Sequence, residues 1–96
     1  MFMKYIISES RLDTIMKNYL DSSLLNKEII NNQAGIAVYD EEEDYLQYFS
    51  YKRELFILNE FLDEFEAMFD LTRNKSIRFI MDWFENEFHV KVRVAG

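Results

Sequence analysis

The chain has 96 residues, of which 49% are hydrophobic and 30% charged, with a formal net charge of −7. This length and balance are typical of one globular domain over residues 1–96 and exclude a disordered chain. No window of the sequence approaches the roughly 18 uninterrupted apolar residues that a membrane span needs. The absence of cysteine excludes disulfides and thiolate chemistry, and Gly35 and Gly96, the only glycines, leave no glycine-rich phosphate loop. We therefore expect a cytoplasmic protein without a cofactor.

The first predicted elements are a short strand over residues 3–7 and a helix over residues 9–22. Ser8 and Ser10 are candidate caps for this helix. Its apolar residues recur at the spacing of a single helical face, namely Leu12, Ile15, Met16, Tyr19 and Leu20. Residues 24–33 fit neither a helical nor a strand period, and the polar run 31–35 indicates a loop.

Three strands are predicted next, over residues 36–39, 45–51 and 55–58. The charged run 40–44 is predicted to be a solvated turn, and residues 52–54 form the second turn. Because the links between consecutive strands are this short, the pattern favours an antiparallel meander.

Two amphipathic helices and a last strand complete the pattern. Asn59 is predicted to cap the second helix, and Thr72 or Asn74 to cap a third that ends near Phe88. Val90, Val92 and Val94 alternate with polar or small residues, which predicts a half-buried strand.

The complete order β-α-β-β-β-α-α-β predicts an α+β fold. A single two-layer domain is expected, with a mainly antiparallel sheet and the helices packed on one of its faces. No internal repeat or linker interrupts the chain.

The opening Lys4-Tyr5-Ile6-Ile7-Ser8-Glu9-Ser10, followed by Tyr19-Leu20-Asp21, resembles the start of small uncharacterised proteins of marine phages and related environmental sequences. The entry Leu55-Phe56-Ile57-Leu58-Asn59 and the stretch Ile80-Met81-Asp82-Trp83-Phe84-Glu85-Asn86 are also similar to that group. The resemblance implies a shared fold pattern and a viral origin, with the host cytoplasm as the location. It implies no activity and no catalytic residues.

Charge is strongly regional along the chain. Eleven of the eighteen acidic residues fall between Asp40 and Asp70, where Lys52 and Arg53 are the only basic residues, so this stretch carries a formal charge of −9. A negative surface attracts basic partners and repels nucleic acid and anionic lipid. The predicted partner-binding face comprises Asp40, Glu41, Glu42, Glu43, Asp44, Glu60, Asp63, Glu64 and Glu66.

These observations favour a small non-enzymatic interaction protein that binds a basic partner surface, with no direct contact to nucleic acid or membrane. Its partner is expected to be a protein, and a nucleic-acid-binding host protein is one source of such a surface. The aromatic run 45–51 is typical of base-stacking proteins, but its neighbours are mostly acidic, so cross-strand packing is the better interpretation.

Self-association as a homodimer, in a structural or assembly protein, is the main alternative. Phe79 and Trp83 widen the apolar arc of the third helix beyond what a one-sided surface helix needs. These two residues therefore either pack against the first helix or form an apolar interface with a partner.

A small metal-dependent hydrolase is the last alternative, and it has weak support. Glu85 and His89 are four residues apart on a predicted helix, with Asp82 nearby, so one metal ion is within reach of this polar side. No further zinc ligand is specified. The run 40–44 lacks the glycine that a calcium-binding EF-hand loop requires, since Tyr45 stands at that position.

Overall fold

The computed structural model describes residues 9–96, so the predicted strand over residues 3–7 lies outside the described residues. The described chain contains three helices and five strands. They are α1 (Glu9–Leu24), β1 (Glu28–Asn32), β2 (Gly35–Tyr39), β3 (Asp44–Phe49), β4 (Glu54–Ile57), α2 (Asn59–Phe69), α3 (Arg73–Phe88) and β5 (Val94–Ala95). The predicted α+β class and the order of elements from α1 onward are confirmed, with β1 as an additional strand.

The five strands form one sheet in the order β1-β2-β3-β4-β5. The strands β2, β3 and β4 form the predicted antiparallel meander, β1 adds a further antiparallel strand to it, and β5 joins the other edge parallel to β4. The strand β1 lies in the segment that fitted neither a helical nor a strand period. It was not predicted because all five of its residues are exposed, so apolar and polar residues do not alternate along it.

Side chains alternate between the two faces of the sheet. The residues that enter the core from β2, β3 and β4 are Ile36, Val38, Leu46, Tyr48, Leu55 and Ile57. They pack beneath the helices, where Phe65 and Phe84 are completely buried and the Tyr48 and Phe84 rings lie 5.4 Å apart. The helices therefore cover one face, and the opposite face carries the intervening residues of each strand.

Gly35 is required at the start of β2 by a close approach of two backbones. Its φ is +155°, and a Cβ atom at this position would lie 1.8 Å from the carbonyl oxygen of Tyr48 on β3. The preceding turn is closed by Asn32, whose side-chain oxygen accepts hydrogen bonds from the backbone N–H groups of Ala34 (2.9 Å) and Gly35 (3.2 Å).

One of the predicted helix caps is wrong and another is confirmed. Asn59 is the first helical residue of α2; Leu58 occupies the cap position and makes no side-chain capping bond. Thr72 caps α3, where its hydroxyl accepts a hydrogen bond from the backbone N–H of Lys75 at 3.3 Å. The hydrophobic entry to α2 shows that packing against the core fixes this helix start without a polar cap.

The final strand is shorter than the predicted 90–95, because only Val94 and Ala95 pair with β4. Val90 and Val92 are partly buried against the core. Their alternation reflects burial of an extended segment, which is held by the Tyr48 hydroxyl through a 2.6 Å hydrogen bond to the carbonyl oxygen of Lys91. No helix in the described part of the chain is sufficiently long and apolar to cross a membrane.

Candidate interaction surfaces

The loop between β2 and β3 is organised by the carboxylate of Asp40. Its Oδ1 accepts hydrogen bonds from the backbone N–H groups of Glu42 (2.8 Å) and Glu43 (2.9 Å). Its Oδ2 accepts from the Tyr45 hydroxyl (2.9 Å) and from Nζ of Lys27 (3.2 Å). The two backbone donors, Glu43 first, together with these side-chain donors hold the pKa of Asp40 far below its ordinary value.

Asp40 is therefore a structural residue of the predicted acidic face. Lys27 neutralises its charge and also lies over the Tyr45 ring, 4.7 Å from the ring centre. This cluster ties the connection after α1 to the start of β3. The sequence did not reveal the pairing, since Lys27 and Asp40 are thirteen residues apart and meet only through the β1–β2 hairpin.

The structure brings Glu43 of the loop together with Glu60 in the first turn of α2. Burial, followed by the hydrogen bond and negative charge of Glu60 and by the charges of Asp40 and Glu42, raises the pKa of the Glu43 carboxyl. The loop and the start of α2 are thus adjacent, as the predicted acidic face requires.

The outer side of α2 is divided between two environments. Arg73, at the start of α3, forms ion pairs with Asp63 and Glu66, and its Nε lies 2.8 Å from the Glu66 carboxylate. Glu64 is on the opposite flank and lines a hollow of about 260 Å³ beside Tyr19. Asp63 and Glu66, both predicted for the partner-binding face, are therefore compensated within the chain.

The remaining acidic residues form a surface that we call the acidic edge. Its members are Glu41, Glu42, Glu43, Asp44, Glu60 and Glu64. None of these six forms an ion pair with a Lys or Arg of residues 9–96. All except Glu43, which is half-buried, are exposed. The edge thus holds uncompensated negative charge at one end of the molecule.

The structure shows the intramolecular alternative for the two aromatic residues of α3. Trp83 is only 4% exposed, and its indole Nε1 donates a hydrogen bond of 2.8 Å to Oδ1 of Asp21 on α1. Phe79 is half-buried and stacks on Phe65 with 6.1 Å between ring centres. Trp83 is therefore covered by α1 and Phe79 is covered in part by α2, while an apolar interface at the exposed part of Phe79 stays a prediction.

The polar side of α3 serves the chain's own backbone. The Glu85 carboxylate accepts a hydrogen bond of 2.7 Å from the backbone N–H of Val92. His89 is exposed and ends α3 in the left-handed conformation with φ 55°. Glu85 and His89 do not form a metal site with Asp82. Within residues 9–96, the structure contains no group of three or more His, Asp or Glu side chains that could hold a metal ion.

An aromatic cluster lies on the face of the sheet that no element of residues 9–96 covers, which we call the uncovered face. It combines Phe49 and Tyr51 of the predicted aromatic run with Phe56, which the sequence did not single out. Phe49 lies 6.2 Å from Tyr51 and 5.7 Å from Phe56, measured between ring centres. We call these three residues the aromatic patch. The signal was present in the alternation of Phe56 with Leu55 and Ile57, which places Phe56 on the face opposite the core.

The chain was compared with protein-family models, with curated proteins and with solved structures, and none of these comparisons gives a match.

Proposed function

We propose that the chain is a small non-enzymatic interaction protein whose acidic edge binds a basic surface of a partner protein. The observation that carries this proposal is the adjacency of the loop and the start of α2, where the backbone N–H of Leu58 donates a hydrogen bond of 2.9 Å to the carbonyl oxygen of Tyr45. The acidic residues on these two segments therefore lie close together, and those of the acidic edge form no ion pair within the described chain. Like charges that meet in this way raise the free energy of the unbound protein. A basic partner relieves this repulsion when it binds.

The placement of the edge supports a protein partner. The edge residues lie on a loop and on one helix, where Asp40 fixes the loop and the core residues Phe61 and Phe65 fix the helix. Because the backbone that carries these carboxylates is already ordered, binding of Lys or Arg side chains carries no further cost for ordering that backbone. The resemblance to marine phage proteins makes a nucleic-acid-binding host protein the first partner class to test.

A defined cationic probe tests the edge directly. The test measures the affinity of a fluorescent Arg- and Lys-rich peptide of about 20 residues at roughly 50 mM and 500 mM salt. The edge variant Glu60→Gln/Glu64→Gln is compared with a control variant, Asp13→Asn/Asp82→Asn, which removes the same charge from exposed positions of α1 and α3.

The edge variant is expected to bind the peptide about 3- to 10-fold more weakly, and the control variant to bind within about twofold of the unaltered protein. Binding should also weaken strongly at the higher salt concentration. An equal loss in both variants would show that net charge alone attracts the peptide and would overturn the proposal. Binding that salt does not change would overturn it as well.

A further inference from the structure

The uncovered face of the sheet carries a row of side chains across four strands. The register aligns Ile30 with Ala37, Ala37 with Gln47, and Gln47 with Phe56. Ile30 is 47% exposed and Phe56 51% exposed, although both are large apolar residues on strands. Large apolar residues cost free energy when they remain in water, and contiguous apolar patches are typical of interaction sites.

The aromatic patch extends this row toward the end of β3. Tyr51 is 75% exposed, and Val94 on the neighbouring edge strand is 51% exposed. A hollow of about 220 Å³ lies beside the patch, where Gly35 and Ala37 leave room between larger side chains. Exposed aromatic rings next to a recess are the usual anchors of protein interfaces.

Opposite charges stand at the two ends of this face. The strand β3 begins at the acidic loop 40–44 and ends at the turn 50–53, which carries Lys52 and Arg53. Both cations are exposed, and neither forms an ion pair with an Asp or Glu of the described chain. Six strand residues at about 3.3 Å each separate the two charged ends by roughly 20 Å.

We infer that the uncovered sheet face is the interface of a homodimer in which the strands of the two sheets run in opposite directions. This arrangement packs the aromatic patch against the partner's sheet. It also places Lys52 and Arg53 of each copy against Glu41 and Glu42 of the other. Two sheets with strands in the same direction would instead bring the two acidic loops together, which like-charge repulsion disfavours.

The size of the face fits a weak, reversible dimer. Five strands of two to six residues, at about 3.3 Å per residue and about 4.8 Å apart, give a flat area of about 350 Å² per copy. The two copies together contribute about 700 Å² before the relief of the side chains is counted, which is below the roughly 1,200 Å² of standard specific interfaces and in the range of weak, transient ones. We therefore expect dissociation in the micromolar range.

Sedimentation velocity from about 1 to 200 µM tests the apolar part of this interface. Phe56→Glu should weaken dimerisation by at least about 10-fold, since it places a charge at the centre of the face. Met68→Glu is the matched control, because Met68 is 55% exposed on α2, away from the sheet face. A protein that is monomeric throughout, or an equal effect of both substitutions, would overturn the inference.

A charge exchange tests the orientation. Lys52→Glu/Arg53→Glu and Glu41→Lys/Glu42→Lys should each weaken self-association, because each makes both loop–turn contacts repulsive. A mixture of the two variants should restore the dimer as a heterodimer, since both contacts are then attractive again. With strands in the same direction the unaltered protein would already have only like-charge contacts, and neither variant would then associate more weakly than it does. If neither variant weakens self-association, or if the mixture associates no better than either variant alone, the antiparallel orientation is wrong.

This inference does not rest on the proposed function, although Glu41 and Glu42 belong to both surfaces. Glu60→Gln/Glu64→Gln should weaken binding of the cationic peptide. Its dimer dissociation constant should stay within about twofold of that of the unaltered protein. Phe56→Glu should show the reverse pattern. Loss of dimerisation in Glu60→Gln/Glu64→Gln would contradict the assignment of separate surfaces.

Discussion

The indole of Trp83 and the carboxylate of Asp21 join α3 to α1 across 62 residues of sequence through a hydrogen bond of 2.8 Å. Lys17, one turn earlier on α1, lies 2.8 Å from the same carboxylate and 3.9 Å from Glu87 on α3. The hydrogen bonds from Lys17 and then from Trp83 lower the pKa of Asp21. Asp21 thus satisfies the donor of a buried ring and places its own charge beside a cation.

Replacement of Asp21 by Ala should destabilise the fold by about 1–3 kcal/mol, because the nearly buried indole N–H of Trp83 loses its acceptor. Urea unfolding followed by fluorescence checks this value, and Trp83 is the only tryptophan, so the signal reports this contact. Asp21→Asn keeps a side-chain oxygen for the indole and should cost less. Equal losses in the two variants would show that the contact with Trp83 contributes little.

An element can be predicted from the sequence when the burial of its side chains produces a regular spacing of apolar residues. The spacing of Leu12, Met16 and Leu20 predicted α1, since one helical face enters the core. The exposed strand β1 left no such pattern, because its register is set by the Asn32 turn and by pairing with β2. Local periodicity therefore recovered the fold class and missed the strand whose side chains are not buried.

The candidate sites show the same division. The acidic stretch is visible in the sequence, but the ion pairs of Arg73 with Asp63 and Glu66 depend on how α3 folds back on α2. The sequence shows that the apolar arc of α3 is wide enough to include Trp83. It does not show which element packs on Trp83, because that depends on the position of α1. Tertiary contacts thus decided which acidic and aromatic residues stay exposed.

Replacement of Gly35 by Ala should be severely destabilising, by about 3 kcal/mol or more, or should prevent folding. The added Cβ would overlap the Tyr48 carbonyl oxygen, and the φ of +155° is one that L-residues rarely adopt. Thermal unfolding followed by circular dichroism measures the effect. Ala34→Gly in the adjoining turn is the control and should cost less than about 1 kcal/mol; a mild effect of Gly35→Ala would contradict the close β2–β3 approach.

The two candidate helix caps should respond differently to alanine. Thr72→Ala should cost about 1 kcal/mol, because the backbone N–H of Lys75 loses its side-chain acceptor. Asn59→Ala should change the free energy of unfolding by less than about 0.5 kcal/mol, since Asn59 makes no capping bond at the start of α2. Chemical denaturation of both variants compares them directly. A larger loss for Asn59→Ala would restore Asn59 as the cap of α2.

Asp40 should make the folded state sensitive to acid. Its pKa is lowered in the folded protein, so the stability it contributes is present above the ordinary value of 3.8 and is lost as the pH falls below that value. The melting temperature should therefore fall more steeply between about pH 5 and pH 2 for the unaltered protein than for Asp40→Asn. The Asn side chain still offers an oxygen to the loop, so parallel pH profiles would contradict the role of the charge.

The pKa of Glu43 is shifted upward, opposite to that of Asp40, and Glu60 should be one cause of the shift. The raised pKa means that the folded state holds the Glu43 proton more tightly than the unfolded state does, so stability is lost as the pH rises from the ordinary value of 4.5 through the folded value. Glu60→Gln removes a like charge, and the pKa of Glu43, measured by the side-chain carboxyl resonance in NMR, should fall. Glu64→Gln is the matched control on the next turn of α2 and should shift that pKa less. An unchanged Glu43 pKa in Glu60→Gln would show that Glu60 does not interact with Glu43. The loop and α2 would then not form one continuous acidic surface.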